Sequence, residues 1–262
     1  MSTTGPARTR SPRAAPAPLL TLLVVLTLIF TACGAGERRD QAPTPPPGSR
    51  AVSFQASDGV KLEGRLFGDG DVGVVLSHML PADQTSWWGF AESLATRGYM
   101  ALTYDFRGYC PGDAAGCSKG TKDVAAIWQD VTGAIRFLRS QGAARIVLMG
   151  ASMGGTASLI AAADEGSGVR AVITLSAPMS IEGLVADAGV LTRITAAKLF
   201  VAGVGDPTGA ADAAQQLYDQ SPPPKRLEIL PSNDHGTDLL TGSQGGILST
   251  LMLSYVDQFS GP

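Results

Sequence analysis

Gly150, Ser152 and Gly154 set a serine between two glycines, in the pattern G-x-S-x-G. Arg145 to Met149 before it reads as an apolar strand, and the small residues from Met153 to Ala163 read as a helix. A turn that sharp presents the serine hydroxyl at the sheet edge, as a nucleophile requires. Large side chains at the flanking glycines would collide with the neighbouring strand or helix, which is the physical reason for the spacing. The plainer alternative is a Gly-rich loop holding an unreactive serine.

Such a serine needs a base and an acid that orients the base. In a strand–turn–helix site of this kind the chain order is serine, acid, histidine. The chain has two histidines, His78 and His235, and only His235 follows Ser152. It sits in a polar loop, Pro231 to Gly236, directly after a strand. For the acid, Asp206 follows the strand Lys198–Gly203 in a loop. Asp164, Asp187, Asp212 and Asp219 fall on or near helices, and Asp234 is too close in the chain to orient its neighbour. Asp206 is therefore the candidate, because reactive groups gather at strand C-terminal ends in open parallel sheets.

The elements that must position these residues follow from apolar periodicity. Val52–Gln55 and Lys61–Phe67 alternate as antiparallel strands about the turn Ser57-Asp58-Gly59. Val72–Leu76 is apolar apart from Gly73, as in a strand buried on both faces. Helices are predicted over Ser86–Arg97, Val124–Ser140, Met153–Ala163, Ala210–Tyr218 and Gly246–Gln258. Strands are predicted over Tyr99–Phe106, Val169–Ser176, Lys198–Gly203 and Arg226–Leu230. The alternation predicts an α/β fold: a mainly parallel sheet with helices on both faces.

Twenty basic and 23 acidic residues leave a net charge of −3, with no basic block beyond the first residues. Nucleic-acid binding is a poor fit to that balance. Arg8, Arg10 and Arg13 precede an apolar run, Leu19 to Phe30, too short to span a bilayer comfortably. Residues 1–32 thus read as a signal peptide. Its end, Phe30-Thr31-Ala32-Cys33, resembles the lipobox of bacterial lipoproteins, with Phe30 in place of the usual Leu. The alternative is a plain signal peptide and an incidental Cys33. Lipid on Cys33 would tether the chain to a membrane without spanning it, at the cell surface or in the periplasm. Residues 33–50 are then a Pro-rich spacer, and 51–262 the folded domain.

Over about residues 51–259 the chain resembles the α/β-hydrolases, closest to the dienelactone-hydrolase-like and serine-esterase-like branch. The likeness rests on Ser57 to Leu62, Leu76-Ser77-His78-Met79, Tyr104 to Gly108, Gly150 to Gly155 and Asp234-His235-Gly236, in that order. It implies hydrolysis of a small-molecule carboxylic ester by Ser152, Asp206 and His235, with no cofactor and no metal. An amidase or peptidase with the same triad is one alternative. A non-catalytic surface lipoprotein of the same fold is another. The resemblance also implies an oxyanion hole from the Met153 amide and that of Leu80, with Met79 as the alternative second donor. His78 would order that loop by hydrogen bonding. Oligomeric state is not legible.

The family's usual tight turn after Asp105-Phe106-Arg107-Gly108 is replaced by Tyr109 to Gly120. In an exported chain, Cys110 and Cys117 read as a disulfide, with two thiols as the alternative. Ala177 to Ala197 offers one short helix, so little or no cap is expected. Trp87, Trp88, Leu184, Val185 and Leu191 are candidate pocket walls or ordinary core.

Overall fold

The sheet is built around two strands, β3 (Val72–Ser77) and β5 (Arg145–Ala151), whose apolar runs are buried almost throughout. The computed structural model describes residues 44–109 and 117–261. Residues 1–32, expected to be a signal peptide, Cys33, the first part of the expected spacer and Cys110 lie outside the described residues. Eight strands run in the order β1-β2-β4-β3-β5-β6-β9-β10. The others are β1 (Arg50–Gln55), β2 (Lys61–Phe67), β4 (Met100–Tyr104), β6 (Val169–Leu175), β9 (Ala197–Gly203) and β10 (Lys225–Leu230). β2 is antiparallel to both β1 and β4, and every pairing from β4 to β10 is parallel.

Helices cover both faces, as the alternating pattern requires. On one face α2 (Ile127–Ser140), α3 (Met153–Glu165) and α5 (Ala210–Gln220) bury Ile135, Leu159 and Leu217. On the other, α1 (Trp88–Ala95) and α6 (Gly245–Ser260) bury Leu94 and Met252. The chain reaches α1 through a 3₁₀ turn, Gln84–Trp87, capped where the Asp83 carboxylate accepts from the Thr85 amide at 2.8 Å. A second 3₁₀ turn, Val124–Ala126, opens α2. Both predicted helices therefore begin later as α-helix than their apolar periodicity suggested.

The loop after β4 is pinned by Arg107. Its guanidinium donates to Asp58 at 2.8 and 3.0 Å and to Asp130 at 2.6 and 2.9 Å. It joins the β1–β2 turn to α2. Asp130 is fully buried, so removing Arg107 would strand a carboxylate in the core, at a cost of about 3–5 kcal/mol.

Between β6 and β9 the chain holds more than the expected short helix. β7 (Ser180–Ile181) and β8 (Leu184–Val185) form a hairpin before α4 (Ala188–Leu191). Two-residue strands are too short to alternate visibly. The turn works because Glu182 and Gly183 both take positive φ, 44° and 87°. No large cap stands over the sheet among the described residues. At the start of the domain, Ser49 accepts a hydrogen bond from Arg65 at 2.9 Å, one residue before β1 begins at Arg50.

Candidate active site

Ser152 directly follows β5 in the middle of the sheet, with φ 48° and ψ −119°. A non-glycine residue there stores strain of about 1–3 kcal/mol, held by the packing on either side. A Cβ on Gly150 would lie 2.2 Å from the Gly154 carbonyl oxygen. One on Gly154 would lie 2.5 Å from the carbonyls of Ser77 and His78 on the neighbouring strand. The turn therefore closes only with glycine at both places, and helix α3 begins immediately at Met153.

Asp206 leaves the C-terminal end of β9 and His235 that of β10, so both loops arrive at the edge where Ser152 sits. Asp206 Oδ2 lies 2.7 Å from His235 Nδ1. Its other oxygen accepts from the Thr208 amide at 3.0 Å and the Thr208 hydroxyl at 2.8 Å. Burial alone would raise the Asp206 carboxyl. The hydrogen bonds from Thr208 and His235 outweigh it and hold the group below its ordinary value. An ionised carboxylate only accepts, so Nδ1 carries the proton and Nε2 is left as the acceptor. Ser152 Oγ and His235 Nε2 have no hydrogen-bond partners among the described residues, and both residues line one cavity of about 180 Å³.

Thr208 was not singled out in the sequence. Its signal was present: an Asp side chain commonly bonds the backbone two residues on, and Asp206-Pro207-Thr208 has that form. The cavity wall also differs from the sequence expectation. Pro178, Ile181, Ala210 and Ala213 line it, with Ile181 supplied by the unforeseen hairpin. Trp87, Leu184 and Leu191 are core residues, Val185 is exposed, and Trp88 lies under the Arg65 guanidinium at 5.9 Å. None of the five lines this cavity. Periodicity marks a residue as inward-facing without saying which of two cores, or which cavity, it faces.

His78 is fully buried beneath the loop after β3. Its Nε2 accepts from the Phe106 amide at 3.1 Å, so Nδ1 carries the proton and donates to the Met79 carbonyl at 2.9 Å. Across a planar trans peptide the carbonyl and the next N–H point in opposite directions. Holding the Met79 oxygen toward His78 therefore turns the Leu80 N–H away from it, and that N–H donates to no described residue. The Met153 N–H, in the first turn of α3, has no intrahelical partner either. Met79 packs its side chain away into the core. A Cβ on Gly236 would lie 2.3 Å from the Met79 sulfur, so glycine at 236 makes room for methionine at 79.

Burial pushes the His78 imidazole from 6.5 down to about 4, with the bond to Met79 opposing the shift. A histidine held neutral in the fold is protonated first in the unfolded chain. It therefore stabilises the fold fully above pH 6.5, and that contribution is lost as pH falls toward 4. Asp105, pushed up to about 6 by burial, works in the opposite sense over much of the same window. A difference measurement isolates the histidine. In urea unfolding, the stability of wild type over His78→Gln is expected to shrink by about 3 kcal/mol between pH 7 and pH 4. A constant difference would mean that His78 is not held neutral.

The sequence matches the alpha/beta hydrolase fold family over residues 74–224, and the chain belongs to that family. No curated protein matches the sequence. Among solved structures, an esterase of Pyrococcus furiosus superposes with a TM-score of 0.68 at 16% identity, over 81% of this chain and 93% of that one. A dienelactone hydrolase from Anabaena variabilis gives 0.64 at 22% identity, over 80% and 97%. An esterase from Exiguobacterium antarcticum gives 0.63 at 18%, over 79% and 100%. At these identities the likeness is one of fold, and fold alone does not carry an activity.

Proposed function

We propose that this protein is a serine hydrolase that cleaves small carboxylic esters through an acyl-enzyme. The observation that carries the reading is the 2.7 Å contact of Asp206 with His235, in a site that His235 shares with the strained Ser152. Ser152 Oγ attacks the ester carbonyl while His235 Nε2 takes its proton. Asp206 holds the tautomer that leaves Nε2 able to do so, and it stabilises the imidazolium that results. The proton then passes to the departing alkoxide. Water, deprotonated by the same nitrogen, releases the acid and restores the serine. The N–H groups of Met153 and Leu80 receive the charge that builds on the carbonyl oxygen. No step calls on a cofactor or metal.

The test is a rate screen over esters of graded acyl length, with lactones and amides included, alongside labelling by a fluorophosphonate probe. Ester turnover with labelling at Ser152 is expected. Rapid turnover of amides and slow turnover of esters would move the reading to an amidase. An absence of labelling in folded protein would favour a binding role on the same fold.

The proposal extends to the rest of the chain: a signal peptide over 1–32, lipid on Cys33, a spacer to residue 50, the catalytic domain over 51–262, and a Cys110–Cys117 disulfide. The enzyme would then work outside the cytoplasm from a membrane surface. The Phe30-Thr31-Ala32-Cys33 sequence motivates the anchor, and two cysteines seven residues apart in an exported loop motivate the bridge. Closing so short a loop is worth roughly 2–3 kcal/mol. Intact mass of the protein purified from membranes, alkylated with and without reductant, tests both. Acyl mass on Cys33, lost in Cys33→Ser, and alkylation only after reduction are expected. Equal partitioning of wild type and Cys33→Ser into the aqueous phase of a detergent extraction would refute the anchor. Alkylation of both loop cysteines without reductant would refute the bridge.

A further inference from the structure

Ser176 is the first residue beyond β6, and three features there have no explanation in the fold alone. It holds φ 53°, a left-handed conformation uncommon for serine. It is 1% exposed, and its Oγ is shut off from solvent without completing a hydrogen bond to any described residue. It also lines the same cavity as Ser152, Thr208 and His235. A buried hydroxyl with no partner normally costs about 1–3 kcal/mol, so a purely structural position would be better filled by alanine or, at this φ, by glycine.

The topology says what lies beside it. Leu175 pairs with Val201 across β6 and β9, and the Ser176 amide donates to the Val201 carbonyl at 2.8 Å. β9 continues to Gly203 and turns back, with the Asp206 amide bonding the Gly203 carbonyl at 3.2 Å. Ser176 therefore lies beside the strand whose C-terminal turn carries Asp206. That carboxylate has about four acceptor sites. Two on Oδ1 are taken by Thr208 and one on Oδ2 by His235, which leaves one on Oδ2. The Ser176 hydroxyl acts on Asp206 in the same downward sense as those three donors.

We propose that Ser176 is a positioning residue whose hydroxyl, unpartnered in this structure, completes a fourth hydrogen bond to Asp206 as His235 becomes charged and so holds the carboxylate that orients it. As the imidazolium forms, a fourth donor restrains the carboxylate further and keeps it against Nδ1. The inference rests on the triad proposed above, with Asp206 as its acid.

The experiment is a double-mutant cycle, read on a p-nitrophenyl ester of short acyl length. Ser176→Ala is expected to lower kcat about tenfold with KM nearly unchanged, since the lost bond matters most when His235 is charged. In an Asp206→Asn background the same substitution is expected to change kcat by less than about twofold, because the group it acts through is already gone. Ser176→Gly suits the positive φ and removes the same hydroxyl. It should reproduce the loss while keeping or raising the urea midpoint, which separates the hydroxyl from any folding defect. Equal losses in both backgrounds, or Ser176→Gly with wild-type kcat, would overturn the assignment of Ser176. Wild-type kcat in Asp206→Asn itself would instead overturn the choice of acid on which it rests.

Discussion

Ser152→Ala and His235→Ala are each expected to remove nearly all ester turnover, with losses of about a millionfold in kcat. The size follows from what each atom would do in the proposed mechanism. Without Oγ no acyl-enzyme forms, and any remaining rate comes from water attacking a carbonyl held by the Met153 and Leu80 amides. Without the imidazole, Oγ keeps its proton and is a poor nucleophile near neutral pH. The two changes together should cost little more than either alone, since the groups act as one unit. Initial rates on a short-chain ester, with circular dichroism to establish folding, make the measurement. Full activity in Ser152→Ala on every ester tested would end the serine-hydrolase reading.

Asp206→Asn is expected to lower kcat by up to about 10⁴-fold. The carboxylate accepts the Nδ1 proton at 2.7 Å, whereas an amide side chain can present its NH₂ to that nitrogen and favour the opposite tautomer. Nε2 would then carry the proton and could not act as a base. Because hydrogen bonding outweighs burial and keeps the Asp206 carboxyl below its ordinary value, it stays ionised through the working range. Its contribution to stability is complete above its unfolded value and is lost only as pH falls through the lower folded one. The variant should therefore be nearly inert at neutral pH yet folded, and less sensitive to acid than wild type. Near wild-type turnover, with the serine and histidine variants dead, would move the search to another carboxylate after Ser152.

Some of this site was legible because its requirements are local. A strand, a turn and a helix in contiguous sequence leave a mark at Gly150 and Gly154, since neither position can hold a side chain. Asp206 and His235 could be selected because each follows an apolar strand directly, and because only one histidine lies beyond the serine. Thr208 left a weaker local mark, and Ser176 left none, since a serine at a strand end looks like any other.

The α/β alternation, the mainly parallel sheet and the loops that reach its C-terminal edge were legible in the chain, because apolar period and chain order are properties of neighbouring residues. Which strand lies beside which came from packing alone, and with it that Ser176 lies beside β9 and that His78 turns the Met79–Leu80 peptide. It also decided that Trp87, Leu184 and Leu191 pack in the core while Ile181 and Ala213 line the cavity. Those outcomes depend on contacts between residues tens of positions apart. A one-dimensional pattern says that a side chain is buried, and the packing of two faces against one sheet says against what.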